Sequence, residues 1–150
     1  MLQDYLREFR TMLGEPDTPE PIPYPYLDAY WTDEGIAQGR VPFLILHGNE
    51  VAGFALRTVR SRLSHSGPTS NVAEFYVAPN HRRLNIGRLA ACALFDRFPG
   101  RWEVAQLREN VPAQRFWRTV ISDYTGGEVE EHDVASDQWD GPIQVFMTPA

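Results

Sequence analysis

The chain has very little cysteine, no lysine and no long apolar run. Its one cysteine, Cys92, excludes an internal disulfide, so we expect a reducing, cytoplasmic setting. All 14 basic residues are arginine. No apolar segment approaches the roughly 20 residues of a membrane span. Charged residues also interrupt the N-terminal segment, so we expect neither membrane insertion nor secretion.

Acidic residues outnumber basic ones, 20 to 14, and the net charge is −6. Because clustered cations supply most of the affinity of proteins for nucleic acid, this acidic chain is not expected to bind it. With 43% hydrophobic and 12% aromatic residues among 150, the chain is expected to fold as one globular domain over residues 1–150.

The first part of the chain predicts helices around a proline-rich loop. Apolar residues recur every three or four positions over residues 2–13, as in an amphipathic helix, and Gly14 ends the pattern. Five prolines between residues 15 and 25 exclude regular structure there. Residues 26–31 are predicted to form a short helix whose inward-facing side chains are Leu27, Tyr30 and Trp31.

The rest of the chain alternates strands and helices. A strand pair is predicted at residues 41–46 and 51–60, joined by a hairpin turn at Gly48 and Asn49, and a polar loop follows. The remaining elements are a strand at 71–78, a helix at 86–98, a strand at 102–107, a helix capped by Asn110 that ends near 120, and strands near 127–131 and 143–148.

The segment that leads into the predicted long helix is basic. Residues 77–95 include no acid and three arginines, Arg82, Arg83 and Arg88. Unpaired N–H groups and the helix dipole both favour an anion at a helix start, so this segment predicts a phosphate site. Gly87 allows a ligand to approach closely, and Asn85 tolerates a left-handed backbone. The alternative is a solvated helix start.

Two stretches resemble the motifs of one enzyme superfamily. The pattern Arg82-x-x-Asn85-x-Gly87 resembles the acyl-CoA-binding motif of the GNAT acetyltransferases, which usually has glycine where Asn85 stands. The stretch from Asn110 to Trp117 resembles the family's Asn-x-x-Ala-x-x-Phe/Leu-Tyr segment. The resemblance is specific over residues 72–121. It implies an α/β (α+β) fold with a mixed, mostly antiparallel sheet of about six or seven strands, flanked by helices, whose central strands splay apart.

The resemblance also implies that acetyl-CoA is the co-substrate. No metal is expected, because the four histidines lack metal-ligand spacing. The pyrophosphate of acetyl-CoA would lie over residues 82–88 and its pantetheine arm along the strand that ends at Val77. A backbone N–H near Tyr76 or Val77 would then bind the thioester oxygen. The residues expected to contact the coenzyme are Phe75, Tyr76, Val77, Arg82, Arg83, Leu84, Asn85, Ile86, Gly87, Arg88, Asn110 and Phe116.

Two side chains are expected to move protons. Glu74 stands where several family members have a glutamate that acts as a base through water; the alternative is an ordinary strand carboxylate paired with an arginine. Trp117 stands where many members have a tyrosine that protonates the leaving thiolate, and an indole does not donate its proton in this way. Tyr124 is the nearest following tyrosine and the candidate acid; the alternative is a packed or surface tyrosine.

The acceptor is the least defined part of the prediction. Residues 24–31 form an aromatic segment, which lies in the region that covers the acceptor pocket in the family. The residues expected to contact the acceptor are Tyr26, Tyr30 and Trp31, unless they pack in the core or a lid. The resemblance implies an N-acetyltransferase that acetylates a primary amine of a small molecule or peptide by direct attack on the thioester. The alternative is a catalytically inactive domain that binds acyl-CoA as a sensor or structural ligand. Homodimers occur in the family, and the sequence leaves this possibility open.

Overall fold

The computed structural model describes residues 1–149, in which a six-stranded sheet is flanked by helices. The strands are β1 (Val41–His47), β2 (Glu50–Val59), β3 (Ser70–Val77), β4 (Arg101–Ala105), β5 (Glu130–Ala135) and β6 (Asp140–Met147). The helices are α1 (Leu2–Met12), α2 (Asp33–Ala37), α3 (Ile86–Arg97) and α4 (Val111–Thr125), with 3-10 turns at Asp28–Trp31 and Pro79–His81. None of the helices described in residues 1–149 has the length and hydropathy of a membrane span.

The strands lie in the order β1-β2-β3-β4-β6-β5. Every neighbouring pair is antiparallel except β3 and β4, which are parallel because α3 forms the crossover between them. One face of the sheet packs against α3 and α4, and the other packs against α1. The expected fold class, a mixed but mostly antiparallel sheet flanked by helices, is confirmed.

The two central strands separate soon after they meet. β3 and β4 pair at only two positions, Ser70 with Trp102 and Asn71 with Glu103. From there to Val77, β3 stays paired with β2 but has no strand partner on the β4 side. The expected splaying of the central strands is confirmed, and it produces a gap bordered by main-chain groups.

A β-bulge in β3 lies beside the point of separation. Glu74 faces Leu56 of β2 and Val72 faces the next residue, Arg57, so Ala73 is an extra residue in β3. A bulge bends its strand and changes the face on which side chains lie. Val72 accordingly packs beneath α3 and α4, whereas Ala73 and Glu74 both contact the α1 side.

The larger hydrophobic core lies between the sheet and the two helices α3 and α4. Phe95 on α3 is fully buried at its centre. The centroid of its ring lies 4.9 Å from that of Phe146 and 5.1 Å from those of Trp102 and Tyr124. These edge-on and tilted contacts join α3 and α4 to β4 and β6, so the core fixes the helices that border the gap.

The aromatic segment differs from its prediction. Residues 28–31 form a 3-10 turn in which Tyr30 is buried, but Trp31 is 62% exposed, so its predicted inward orientation is wrong. The short helix α2 was not predicted. It begins where the Thr32 hydroxyl accepts a hydrogen bond from the Gly35 N–H at 3.0 Å, a cap that Ser and Thr commonly provide.

The boundaries after α4 also differ from prediction. The helix continues about one turn past residue 120 and ends where Gly126 adopts a φ of 66° as its C-cap. Gly127, with a φ of 90°, continues the turn. The strand expected near 127–131 therefore begins only at Glu130, because these two left-handed residues cannot join a strand ladder.

We expect Phe95→Ala to lower the free energy of unfolding by roughly 3–5 kcal/mol, because the substitution leaves a cavity among packed rings. Leu89→Ala is the matched control on the same helix. Leu89 is 59% exposed, so its loss should change stability by no more than about 0.5 kcal/mol. Urea unfolding of both variants measures the difference. Equal stabilities would contradict the assignment of Phe95 to the centre of the core.

Candidate active site

The turn between β3 and α3 presents a row of unbonded N–H groups. The first backbone hydrogen bond into α3 runs from the Leu89 N–H to the Asn85 carbonyl at 3.1 Å, and the Asn85 side chain caps no N–H. Across the described residues, the N–H groups of residues 83–88 have no backbone acceptor, and we call this segment the N–H turn. Arg83 and Asn85 have φ angles of 62° and 61°, so the left-handed backbone expected at Asn85 is present. Successive N–H groups in such a turn form a concave anion site.

Gly87 allows α3 to approach its neighbours at this turn. A Cβ atom at position 87 would lie 3.2 Å from the ring of Phe116 on α4 and 3.6 Å from Val77 on β3. Gly87 lies in the first turn of α3 without a positive φ, so its small size favours close packing and does not serve an unusual backbone conformation. Of the other residues in the turn, Leu84 is exposed and Ile86 is buried, so the groups they offer a ligand are their N–H groups.

The three arginines near the turn have different surroundings. The guanidinium of Arg82 donates to the Val77 carbonyl and to Glu8, each at 2.8 Å. These bonds use two of the five N–H donors of the guanidinium, and the expected contact of Arg82 with a phosphate stays a prediction. Arg88 lies 3.8 Å from one carboxylate on α4, and Arg83 is exposed with no ionic partner within residues 1–149. These two remain available at the turn.

The main chain of β3 offers two more donors to the gap. The Ala78 N–H bonds to the Ala52 carbonyl of β2 at 2.8 Å. Because successive N–H groups of a strand point to opposite sides, the Tyr76 N–H also faces β2, whereas those of Phe75 and Val77 face the gap. Of the two residues proposed for the oxyanion donor, only Val77 has this direction.

Glu74 lies on the α1 side of β3 and accepts two hydrogen bonds from tyrosines. The Tyr24 hydroxyl donates to Oε1 at 3.0 Å, and the Tyr5 hydroxyl donates to Oε2. Burial raises the pKa of Glu74, while the two hydroxyls and the nearby Arg62 act in the opposite direction. Burial and the neighbouring carboxylate raise the pKa of both tyrosines, so both remain protonated donors.

Neither tyrosine was identified from the sequence as a partner of Glu74. Tyr5 is separated from it by 69 positions and Tyr24 by 50. Tyr5 belongs to the apolar stripe of α1, and Tyr24 lies in the proline-rich loop. No local pattern pairs either residue with a strand carboxylate.

Tyr124 lies away from the gap. Its hydroxyl donates to Asp96 at 2.7 Å and its ring packs on Phe95, both in the second half of α3, whereas the N–H turn lies at the start of that helix. Burial and Asp96 raise its pKa. Trp117 is buried below the gap, with its ring centroid 5.0 Å from that of Phe75. Tyr124 therefore takes no part in the mechanism proposed below.

Asn110 begins α4 as expected. Its side-chain oxygen accepts a hydrogen bond from the Ala113 N–H at 3.2 Å, which satisfies one of the free donors at this helix start. Its expected contact with the pantetheine arm stays a prediction.

The three aromatic residues expected at the acceptor differ in exposure, and their contact with an acceptor stays a prediction. Tyr30 is buried beside β2 and β3, while Tyr26 and Trp31 are 66% and 62% exposed. A cleft of about 780 Å³ lies between α1 and the segment after β3, and its lining includes Asp4, Arg7, Glu8, Tyr76, Ala78 and Asn80. Within residues 1–149, no group of three or more His, Cys, Asp or Glu side chains is arranged to hold a metal ion.

Comparisons with solved structures give the same fold. The ribosomal-protein-S18-alanine N-acetyltransferase from Escherichia coli superposes with a TM-score of 0.56 at 12% identity, over 88% of this chain and 81% of that chain. The aminoglycoside acetyltransferase AAC(6')-Ib in complex with coenzyme A gives 0.61 at 16%, over 98% and 87%. The PaiA N-acetyltransferase from Thermoplasma acidophilum in complex with coenzyme A gives 0.55 at 10%, over 97% and 79%. At these identities the likeness shows the fold alone.

Sequence comparisons identify the family. A search of curated protein sequences gives no match. The family model described as "Acetyltransferase (GNAT) family" matches residues 2–120, which include α1, the gap between β3 and β4, the N–H turn and most of α4. This chain belongs to the GNAT acetyltransferase family.

Proposed function

We propose that this protein is an acetyl-CoA-dependent N-acetyltransferase whose acceptor is a primary amine of a small molecule or peptide. One observation carries the proposal: the gap between β3 and β4 begins after Asn71 and lies beside the unbonded N–H groups of residues 83–88. The proposal is supported by two proteins of the same fold, an S18-alanine N-acetyltransferase and an aminoglycoside acetyltransferase, both of which are named for acetyl transfer.

The residues at this end of the sheet fit the shape and charge of coenzyme A. The N–H groups of residues 83–88 supply donors for a pyrophosphate, and Arg83 and Arg88 add positive charge. The N–H groups of Phe75 and Val77 face the gap, where an extended pantetheine arm pairs with main-chain groups. Phe116, which closes the turn behind Gly87, packs beside it. When bound, acetyl-CoA supplies an acetyl group activated as a thioester.

Glu74 acts as the base in this proposal. The amine must lose a proton to attack, and that proton passes through a water molecule to the Glu74 carboxylate. The amine nitrogen forms a bond to the acetyl carbon as the bond from carbon to sulfur breaks. The Val77 N–H binds the carbonyl oxygen as it gains negative charge. The sulfur leaves as a thiolate, and solvent carries to it the second proton, which the nitrogen releases as the amide forms.

The second candidate is an acyl-CoA-binding domain without catalytic activity. It is favoured by one observation: Trp117 is buried where many family members have a proton-donating tyrosine, and Tyr124 is bonded to Asp96 away from the gap. Both candidates predict coenzyme A binding, so thermal stabilisation by coenzyme A does not separate them.

Thiol release from acetyl-CoA tests the enzyme directly. The purified protein is offered acetyl-CoA with spermidine, an aminoglycoside or a peptide with N-terminal alanine, and free thiol is measured with a disulfide dye. The expected result is acceptor-dependent release together with a higher melting temperature in coenzyme A. Stabilisation without release over a broad panel of amines would support the binding domain. If coenzyme A does not raise the melting temperature and no thiol is released, both candidates are overturned.

Gly87→Glu should weaken coenzyme A binding by roughly a hundredfold or more, because it places a carboxylate among the donors intended for phosphate. Gly87→Ala is the matched control, since it brings the same first carbon against Phe116 without charge. Isothermal titration calorimetry measures both affinities, and melting curves without ligand check that both variants fold. Near-wild-type affinity in Gly87→Glu would contradict the proposed phosphate position.

Glu74→Gln should lower kcat/KM by roughly a hundredfold at pH values above the Glu74 pKa and below that of the acceptor amine. Below this window the wild-type carboxyl is protonated, and above it the amine needs no base, so the two profiles converge at both ends. Glu128→Gln, an exposed carboxylate beyond α4, is the control. A uniform loss at every pH would assign Glu74 a structural role.

A further inference from the structure

Two segments that are distant in sequence converge on the carboxylate of Glu74. Tyr5 comes from α1 and Tyr24 from the proline-rich loop, and each donates its hydroxyl to a different oxygen of Glu74. A carboxylate has about four lone-pair positions, two on each oxygen. The two tyrosines occupy one position on each oxygen, so each oxygen retains one position for a water molecule.

Both hydroxyls are held in place by other contacts. The ring centroid of Tyr5 lies 5.6 Å from that of Phe54 on β2 and 5.6 Å from that of Tyr76 on β3, which fixes the ring between α1 and the sheet. The loop that carries Tyr24 is tied to α1 by a pair of hydrogen bonds between the Gln3 amide and the main chain of Ile22, at 2.9 and 2.7 Å. This tie lies two residues before Tyr24.

The surroundings of Glu74 make these donors important. α1 contributes Tyr5, the segment before β1 contributes Tyr24 and the more distant Tyr30, and the loop between β2 and β3 contributes Arg62. Burial disfavours the ionised carboxylate, and the two hydroxyl donors favour it. Arg62 acts from farther away, since no hydrogen bond joins it to Glu74 among the described residues.

We propose that Tyr5 and Tyr24 are positioning residues that hold the Glu74 carboxylate ionised and oriented, with one free lone pair on each oxygen for the water that takes the proton of the amine. The inference rests on the proposed function, in which Glu74 is the base. The tyrosines touch neither the acceptor nor the coenzyme in this proposal, and they act only through Glu74.

Tyr24→Phe and Tyr5→Phe test the inference, because each removes one hydroxyl and keeps the ring. The profile of kcat/KM against pH is measured with acetyl-CoA and whichever of spermidine, the aminoglycoside or the alanine peptide releases thiol. The acid limb should move to higher pH by roughly one unit, with a loss of roughly tenfold on that limb and recovery at higher pH, since a donor to the ionised carboxylate is missing. A loss that is equal at all pH values would show a merely structural role and overturn the inference.

A double substitution shows whether the tyrosines act through Glu74. In the Glu74→Gln background, adding Tyr24→Phe should cause no further loss at pH 6, because the group it serves is already gone. Independent, multiplying losses would overturn the inference.

A titration by NMR gives a readout that needs no acceptor. The protein is labelled with carbon-13 at the glutamate carboxyls, and the Glu74 signal is the one missing in Glu74→Gln. Its titration midpoint should rise in Tyr5→Phe and in Tyr24→Phe but not in Tyr124→Phe, whose hydroxyl bonds a different carboxylate. An unchanged midpoint in both of the first two variants would overturn the inference even if the wild type is an active acetyltransferase. Absence of thiol release with a shifted midpoint would instead overturn the proposed function alone.

Discussion

The separation of β3 from β4 after Asn71 is the feature on which the site depends. A strand between two others normally has its N–H and C=O groups paired on both sides, because unpaired buried groups are costly. β3 gives up this pairing on one side up to Val77. Arg82 satisfies the Val77 carbonyl, and the N–H groups of Phe75 and Val77 remain for a ligand. The break in the sheet thus creates both the space for an extended ligand and the donors that bind it.

The N–H turn provides local attraction for an anion in a protein whose net charge is negative. The net charge of −6 repels a phosphate at long range, but between residues 77 and 95 no acid is present. Arg82 is held by Glu8 on α1, so the local attraction comes mainly from main-chain N–H groups, with charge added by Arg83 and Arg88. The ion pair of Arg82 with Glu8 also joins α1 to the segment that follows β3.

Features that depend on neighbouring residues could be predicted from the sequence, and features that depend on distant ones could not. The spacing of Arg82, Asn85 and Gly87 indicated the turn, and its left-handed residue and the cap at Asn110 follow from local chemistry. Three arginines close in sequence look equivalent, yet one of them, Arg82, pairs with a carboxylate 74 positions away. Likewise, the proximity of Tyr124 to Trp117 in sequence gives no indication that the Tyr124 hydroxyl donates to Asp96 on α3.

The hydrogen bonds to Glu74 and the absence of an acid at Trp117 agree with the relative free energies of two proton transfers, one from the amine and one to the thiolate. The pKa of a primary amine, near 10.4, lies about 3.4 units above pH 7, whereas the pKa of a thiol, near 8.5, lies only about 1.5 units above it. At roughly 1.4 kcal/mol per pH unit, deprotonating the amine at pH 7 costs about 5 kcal/mol, whereas protonating the thiolate releases only about 2 kcal/mol. Near neutral pH, an acetyltransferase with a single proton-transfer group therefore gains more from a base than from an acid. The structure gives Glu74 two dedicated donors and places no tyrosine of α4 at the gap.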